Sequence, residues 1–424
     1  MKWSTPALGQ IATITGGSTP SRTQAEYWNG SIPWLTPTDL PMPGKGIADV
    51  SDTAGKITEK GLAAISAPLL PVGTVLFSSR ATIGKLGISR VPLATNQGFA
   101  NFIPKKFVDA KYLAYCLLHY TAEITALAGS TTFKEVTKTA LKKFKVPLPA
   151  LSEQHRIVEI LDQADALRKK CAEADAKAAR ILPALFYKMF GDPLANPRGF
   201  PTEEVGNLLT FLRNGTTTEQ NQDNRGYPVT RIETISSGII NPDRVRYVEL
   251  DDYELAKWRM ETGDILFSHI NSETHIGKTA IYKGQPDPLI HGMNLLLMRP
   301  DRRRVQPEYL FAVLNTDSVR AAYRQRCKRA VNQASLNQKD ISALEIALPP
   351  VDAQDNFCRI AGNVLQQVSA QQKTTENIDH LFENLLHRAF NGDLTAKWRE
   401  AHMKELLQEM EQQAEALNLK GLKA

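Results

Sequence analysis

The chain has 424 residues and a formal net charge of +6, with 42% hydrophobic and 23% charged residues, which is typical of a globular protein of two or three domains. No apolar run approaches membrane-spanning length, and the N-terminus lacks the apolar core of a signal peptide. Four scattered cysteines without CxxC spacing speak against a disulfide framework or a zinc site. We therefore expect a cytoplasmic protein without a membrane partner, whose positive charge favours an anionic one.

Residues 1–150 predict a mixed α/β domain. Residues 31–35 are typical of the start of a strand, and residues 72–77 of a buried strand. Residues 109–127 have helical periodicity, and a polar, then lysine-rich segment leads from them to the strand-like residues 146–148.

A long amphipathic helix is predicted over residues 152–190, about 58 Å at 1.5 Å per residue. Ser152 is a suitable N-cap, Gly191 ends the helix, and Pro183 predicts a kink. Its apolar residues recur in steps of three and four, as in a coiled coil, and they are Ile157, Ile160, Ala164, Leu167, Cys171, Ala174, Ala178, Ile181 and Leu185.

The same plan returns in the second half of the chain. After the breaker-rich linker 191–201, residues 263–268 echo residues 73–78, and Ile276-Gly277-Lys278 echoes Ile83-Gly84-Lys85. A second long helix is predicted over residues 352–390, where the matching apolar residues follow at an offset of 200 and include Phe357, Ile360, Val364, Ile378, Leu381 and Leu385. The repeat indicates an internal duplication.

The two helices are expected to bury their apolar seams against each other as an antiparallel coiled coil with pseudo-two-fold symmetry. The more polar Gln367, Gln371 and Thr374 argue against a fully dry seam. We therefore predict an α/β protein of two domains, 1–150 and 193–350, joined by helices 151–192 and 351–393. A short amphipathic helix is expected within 394–424.

Catalytic signatures are missing from the sequence. It contains no HExxH, GxSxG or dinucleotide-binding motif, and no Asn/Asp-Pro-Pro-aromatic motif of an amino-methyltransferase. Residues 272–279 end like a phosphate-binding loop but begin with Ser272 instead of glycine, and the histidines lack metal-ligand spacing. The sequence therefore predicts no catalytic residue, metal site or bound cofactor.

Side chains suited to nucleic acid cluster at matching places in both halves. Arg320, Arg324 and Lys328 are four residues apart and predict one basic helix face. Amide side chains in 331–338 can pair with adenine edges. A solvated basic face is the alternative for any single residue, but the duplication favours duplex DNA. The candidate contacts are Arg80, Lys85, Thr131, Thr132, Lys134, Lys138, Asn271, Lys278, Arg320, Arg324, Lys328, Asn332, Gln333 and Asn337.

Together these features resemble the specificity subunit of Type I restriction–modification systems along nearly all of the chain. The resemblance is carried by the PxPxLxEQ-like segment 147–154, its degenerate copy 348–354, and the helices that follow them. The two Ile-Gly-Lys motifs, segment 27–34 and the closing segment 389–394 add to it. Asp352 and Ala353 depart from the pattern where Ser152 and Glu153 stand, which affects helix capping.

The resemblance implies two target-recognition domains that each read half of an asymmetric, bipartite DNA sequence. It also implies a helical spacer on which two modification subunits dock, with restriction subunits adding translocation and cleavage. S-adenosylmethionine, magnesium and ATP would then belong to the partner subunits only, and this chain would catalyse nothing. A methylation-only defence system, a coiled-coil scaffold for proteins and a stand-alone nuclease or methyltransferase are the alternatives.

Two hypotheses follow from the residues. Because segments 129–138 and 330–338 differ, the two half-sites should differ. If helix length sets the gap between them, one heptad inserted into each helix would add about 10 Å, or roughly three base pairs.

Overall fold

The computed structural model describes residues 3–129, 134–236, 238–272, 275–330 and 333–418. They form two compact units: unit 1 is Met1–Ala172 with Lys373–Ala424, and unit 2 is Glu173–Gln372. Each unit therefore contains a part of both long helices, and the domain boundaries given above stay a prediction. Within the described residues, no helix is long and apolar enough to cross a membrane.

In chain order the strands are β1 (Ala12–Gly16), β2 (Trp28–Leu35), β3 (Ile47–Val50), β4 (Gly55–Ile57), β5 (Val75–Ser78), β6 (Leu86–Ser89), β7 (Ala94–Thr95), β8 (Phe99–Pro104), β9 (Thr202–Glu204), β10 (Leu209–Asn214), β11 (Tyr227–Val229), β12 (Arg246–Val248), β13 (Ile265–Phe267), β14 (Ile270–Asn271), β15 (Thr279–Ile281), β16 (Leu296–Pro300), β17 (Lys328–Ala330), β18 (Gln333–Ser335) and β19 (Glu345–Ala347). The α-helices are α1 (Leu8–Ile11), α2 (Glu59–Ala63), α3 (Ala110–His119), α4 (Thr121–Ala126), α5 (Lys138–Lys143), α6 (Leu151–Ala178), α7 (Ile181–Phe190), α8 (Asp252–Trp258), α9 (Pro307–Leu314), α10 (Asp317–Arg326), α11 (Gln338–Ser342), α12 (Val351–Phe390), α13 (Ala396–Ala401) and α14 (Met403–Ala416).

The part of unit 1 that precedes α6 is built on a five-stranded sheet in the order β1-β8-β5-β6-β3. Its pairs are antiparallel except β3 with β6, and β4-β2-β7 form a second, smaller sheet. The central strand β5 is buried throughout, and Val75 and Phe77 pack in one core with Tyr112 and Leu113 of α3. The predicted strand and helix in this region are confirmed.

Unit 2 repeats this plan with the sheet order β10-β16-β13-β15. Strand β13 lies between β16 and β15 as β5 lies between β8 and β6. Smaller sheets are β14-β18-β17, β11-β12 and β19-β9. Helix α9 begins with Pro307 in its first turn, where a residue without a backbone donor is tolerated.

The two Ile-Gly-Lys motifs are tight turns that return the chain to the sheet. The amide of Gly84 donates to the carbonyl of Ser78 (3.0 Å), and the amide of Gly277 donates to that of Ser268 (2.9 Å). Both glycines have positive φ, 97° and 77°, a conformation that side chains with a Cβ disfavour. Ile276-Gly277-Lys278 is therefore a feature of the fold that the two units share.

The first long helix is divided in two. Helix α6 ends at Ala178 and α7 begins at Ile181, so that Pro183 is the third residue of α7. A proline there has no amide hydrogen for the carbonyl of the preceding turn, which accounts for the break. The predicted kink is confirmed, whereas the N-cap prediction is wrong, since α6 already begins at Leu151 ahead of Ser152.

Within unit 1 the N-terminal part of α6 runs antiparallel to the C-terminal part of α12. Arg168 pairs with Asp379 at one end of this contact, and Glu153 bonds Thr395 just beyond the end of α12 at the other. Ile157 is buried here as predicted. Leu161 is buried as well, although the predicted seam residue is its neighbour Ile160.

Several seam positions predicted from the apolar spacing are wrong. Leu167, Leu381 and Ile181 are 43%, 47% and 46% exposed. In unit 1 the neighbouring residues Arg168 and Phe382 face inward instead, which rotates the buried face by one residue. The remaining seam predictions are buried or half-buried in their own units, and they are Ile160, Leu185, Phe357, Ile360, Val364, Ile378 and Leu385.

Candidate nucleic-acid interface

In unit 1 a returning segment, residues 134–136, lies along the chain that follows β5. The amide of Val136 donates to the carbonyl of Ser79 (2.9 Å), and the amide of Ala81 donates to that of Lys134 (3.1 Å). Ala81 has a φ of 62°, a strained value for a residue with a Cβ, and such strain is frequent where a loop is held for a functional purpose. We call residues 79–81 with 134–138 the unit 1 edge.

The unit 1 edge carries three exposed cationic side chains and one exposed carboxylate. Arg80 lies with its Nε 3.9 Å from the Glu135 carboxylate, and Lys134 and Lys138 are exposed. Thr137 caps α5, with its hydroxyl accepting from the Ala140 amide at 3.2 Å. This cap fixes the position of Lys138, the first residue of the helix.

Lys138 also lies against the end of β1. A Cβ placed on Gly16 would be 2.9 Å from the Lys138 Nζ, so the ammonium group lies directly over that glycine. The fold therefore brings this lysine and the end of the edge strand of the sheet together on one exposed surface.

Unit 2 has the corresponding arrangement after β13. The amide of Leu336 donates to the carbonyl of His269 (2.8 Å), and Ile270 in β14 pairs with Ser335 in β18. Asn337 caps α11 by accepting from the Asp340 amide at 2.7 Å. We call residues 269–271 with 334–338, together with Asn214 at the end of β10, the unit 2 edge.

Amide and imidazole groups form a connected network at the unit 2 edge. Gln338 Nε2 donates to Asn214 Oδ1 (3.3 Å), while Asn214 Nδ2 donates to the Met293 carbonyl (2.9 Å) and lies 3.4 Å from His269 Nε2. Burial lowers the pKa of His269, so its ring stays neutral near pH 7. This edge offers donors and acceptors side by side without a cationic imidazole.

Several sequence-predicted contacts have structural roles instead. Lys85 is buried and donates to the carbonyls of Pro37 (2.6 Å) and Leu40 (3.2 Å), so its ammonium does not reach the surface and the residue leaves the set of candidate contacts. Lys278 is half-buried and donates to the Ser236 carbonyl at 2.7 Å.

Asn271 and Asn337 are engaged within the fold as well. The side chain of Asn271 donates through Nδ2 to the Ser268 hydroxyl at 3.1 Å, and its Oδ1 accepts from the backbone amide of Ser272. Asn337 uses its side-chain oxygen for the helix cap but is exposed. Both lie at the unit 2 edge.

The predicted single basic helix face is wrong. Helix α10 ends at Arg326, so Lys328 lies on β17 and not on the helix. Arg320 is half-buried and donates to Asn315, and burial, followed by the nearby charge of Arg324, lowers its pKa. Of the three basic residues, Arg324 and Lys328 are exposed.

Three other candidates, Thr131, Thr132 and Asn332, lie outside the described residues. Gln333 is placed by its backbone, which pairs with Ala330 across β17 and β18. Gln338 is the last residue of the predicted amide-rich segment 331–338. Asn214 is 124 residues away from it and is absent from the predicted contacts, because only the strand order brings it there.

Among the described residues, no group of three or more His, Cys, Asp or Glu side chains is placed to hold a metal ion. The arrangement that both units share is therefore one of exposed donors and acceptors around the end of a sheet. Such an arrangement can contact phosphates through its cations and base edges through its amides.

The chain is similar in sequence and in fold to specificity subunits of type I restriction enzymes. The family model described as the Type I restriction modification DNA specificity domain matches residues 1–174 and 197–380. The putative type I restriction enzyme MjaX specificity subunit of Methanocaldococcus jannaschii is 41% identical over 195 residues, which is 46% of this chain and 46% of that relative. The chain therefore spans about half the length of this relative.

A second relative matches over nearly the whole chain. The type I restriction enzyme EcoKI specificity subunit of Escherichia coli is 24% identical, with 94% of this chain and 90% of the relative covered. Among solved structures, the crystal structure of the type I restriction–modification system S subunit from M. genitalium has a TM-score of 0.55 at 14% identity. It covers 92% of this chain and 96% of the other, and it supports the fold.

Proposed function

Because this chain belongs to the type I restriction–modification DNA specificity family, we propose that it is the subunit that selects the DNA target of a methyltransferase and restriction complex. The observation that carries the proposal is the repeated edge: each unit places exposed polar side chains around the end of its central sheet. Each edge then reads one half of a bipartite duplex sequence.

The chemistry of the two edges fits this role. Arg80 and Lys134 at the unit 1 edge, and the exposed Arg324 and Lys328 that precede the unit 2 edge in the chain, supply phosphate affinity that does not depend on sequence. Amide groups such as those of Asn214 and Gln338 match the donor and acceptor pattern of base edges in the major groove. Affinity and specificity are thus supplied by different side chains of the same surface.

The outer faces of the long helices are proposed to hold the modification subunits, two per chain. Exposed leucine and isoleucine side chains on the described parts of these helices are Leu167, Ile181, Leu365 and Leu381. These side chains are the positions at which such a partner could bury apolar surface. Restriction subunits would join the same assembly.

In this proposal the chain recognises DNA and the partner subunits carry out the chemistry. S-adenosylmethionine would be bound by the modification subunits, and ATP and magnesium by the restriction subunits. The contribution of this chain is to hold its partners at a defined sequence.

Methylome sequencing tests the proposal most directly. Cells that express the chain together with a cognate modification subunit should acquire adenine methylation at one asymmetric, bipartite motif. Cells that express the modification subunit alone should lack it. The same methylated motif in both strains would overturn the assignment.

A DNA-binding experiment tests the proposed contacts between the exposed cations and the phosphates. Neutralising Arg324 and Lys328 to glutamine should weaken duplex binding and reduce the slope of log K against log salt by about 2. Neutralising Lys188 and Lys283, exposed residues elsewhere in unit 2, is the matched control. Equal effects in both pairs would show that Arg324 and Lys328 do not contact the DNA.

A further inference from the structure

We propose that the two edges select different bases: Lys138 with Arg80 selects guanine in one half-site, and Gln338 with Asn214 selects adenine in the other. The inference rests on the proposed function and deepens it by assigning a base preference to each edge. It follows from the contrast between side chains at equivalent positions.

Lys138 and Gln338 occupy the same place in the repeated fold. Each follows a capping residue, Thr137 or Asn337, and opens a short helix. The residue before each cap donates its amide to the chain that follows the central strand: Val136 at 2.9 Å in unit 1 and Leu336 at 2.8 Å in unit 2. The backbone frame is shared, so the difference between the edges lies in the side chains.

The unit 1 edge presents donors. Lysine carries three donors and no acceptor, and arginine carries five donors. In the major groove guanine shows two adjacent acceptors, N7 and O6, whereas adenine shows one acceptor beside a donor. A donor-only side chain therefore fits guanine better. Glu135, beside Arg80, can accept from the amino group of the paired cytosine.

The unit 2 edge presents an oriented amide. Gln338 donates through Nε2 to Asn214 Oδ1, and Asn214 is itself bonded to the Met293 carbonyl. This chain of hydrogen bonds fixes the orientation of the Gln338 amide. Its Oε1 and its second N–H then remain to meet adenine N6 and N7 as acceptor and donor, the pairing typical of glutamine with adenine.

The fold tolerates an exchange of the two side chains at positions 138 and 338. Replacing Gln338 by lysine would place a cation beside Asn214 Oδ1, which can accept from it, so the fold tolerates the exchange. Replacing Lys138 by glutamine places a neutral amide over Gly16, where space already accommodates the lysine stem. Both positions are exposed, so the exchanges change chemistry without removing a buried side chain.

Selection from a randomised duplex pool with the full-length chain, followed by sequencing of the bound fraction, tests the inference. The wild-type consensus should contain a guanine in one half-site and an adenine in the other at the positions that the variants change. Lys138→Gln should convert only the guanine to adenine, and Gln338→Lys should convert only the adenine to guanine. Each exchange should shift the preference by about 10- to 100-fold.

Lys143→Gln is the matched control, since it removes the same charge from an exposed position of the same helix. If Lys138→Gln only lowers affinity for all sequences, reduces the salt slope by about 1 and leaves the consensus unchanged, Lys138 is a phosphate contact and the inference is overturned. If the wild-type chain enriches no sequence at all, the proposed function itself fails. The two failures are therefore distinguishable.

Discussion

Arg168 lies with its guanidinium carbon 4.3 Å from the ring centre of Phe382, inside the antiparallel helix contact of unit 1. Its Nε donates to the Asp379 carboxylate at 2.8 Å, and its side chain is 13% exposed. Its Nη2 also donates to the carbonyl of Gly44 at 3.1 Å, which connects a loop between β2 and β3 to the helices. A charged residue thus occupies a position that apolar spacing assigns to its neighbour, Leu167.

Replacing Arg168 by alanine should destabilise unit 1 by about 3 kcal/mol. It removes a cation–π contact and leaves the Asp379 carboxylate without this partner. Arg168→Met keeps the packing of the stem on Phe382 and should cost less. Urea unfolding measures the change, and Lys170→Ala, an exposed residue on the same helix, should cost about 0.5 kcal/mol or less. Equal costs for both alanine variants would contradict the structural role of Arg168.

Gln154 and Gln354 occupy equivalent positions at the starts of α6 and α12. Gln154 connects the start of α3 to the proline before α6, and Gln354 connects the start of α9 to the proline before α12. Gln154 accepts from the Asp109 amide at 2.9 Å and donates to the carbonyls of Phe107 and Pro149. Gln354 accepts from the Gln306 amide at 2.8 Å and donates to the carbonyls of Arg304 (3.4 Å) and Pro349 (2.9 Å). The glutamine of each PxPxLxEQ-like segment is therefore structural.

Removing these glutamines should have unequal effects in the two units. In unit 1, Gln413 of α14 also donates to the Phe107 and Pro149 carbonyls, so both keep a partner in Gln154→Ala. Gln354→Ala leaves its two carbonyls without that donor and should cost about 3 kcal/mol, roughly 1 kcal/mol more than Gln154→Ala.

Two further variants complete the comparison. The double variant Gln154→Ala with Gln413→Ala should lose more stability than the sum of its single variants, because the two amides share acceptors. Gln163→Ala and Gln366→Ala, at exposed helix positions, are the matched controls for thermal unfolding. An additive double variant would show that α14 does not substitute for Gln154.

Glu153 joins three parts of unit 1 through a fully buried carboxylate. It accepts from Trp3 Nε1 (2.9 Å), the Thr395 hydroxyl (2.6 Å) and Arg399 Nε (2.8 Å). Glu153→Ala should cost about 4 kcal/mol, because it leaves Arg399 largely buried without its carboxylate. Glu159→Ala, on the same helix with an exposed ion pair to Arg156, should cost less than about 1 kcal/mol in the same denaturation experiment.

The stability of unit 2 should depend on pH through His291. Burial lowers the pKa of this histidine from 6.5 to about 4, while its Nε2 bonds the Leu295 carbonyl at 3.0 Å. The unfolded chain takes up a proton near pH 6.5 and the folded chain only near pH 4, so protonation favours unfolding between these values. Stability should therefore fall by up to about 3 kcal/mol as the pH decreases from 6.5 to 4.

Denaturant unfolding across this pH range checks the prediction. His291→Asn should flatten the pH dependence of the unit 2 transition, whereas the exposed His380→Asn should leave it unchanged. A wild-type profile that is flat between pH 4 and 6.5 would show that the protonation of His291 does not affect stability.

The sequence by itself determined the plan of the chain. The repeated strands, the turns at Gly84 and Gly277 and the two long helices follow from local patterns: buried apolar runs, residues that tolerate positive φ, and helical periodicity. The break before Pro183 follows equally, because a missing amide hydrogen is a property of one residue. Such features need no knowledge of distant contacts.

Only the tertiary structure decided which side chains meet. Apolar spacing placed Leu167 in the seam, but Arg168 lies there because Asp379, far away in the chain, compensates its charge. Lys85 is predicted from the sequence to contact DNA, but in the fold its ammonium donates to the carbonyls of Pro37 and Leu40. Asn214 bonds Gln338 only because β10 ends beside the first residue of α11. The physical reason is the same in each case: the burial and pairing of a polar group depend on partners that are distant in sequence.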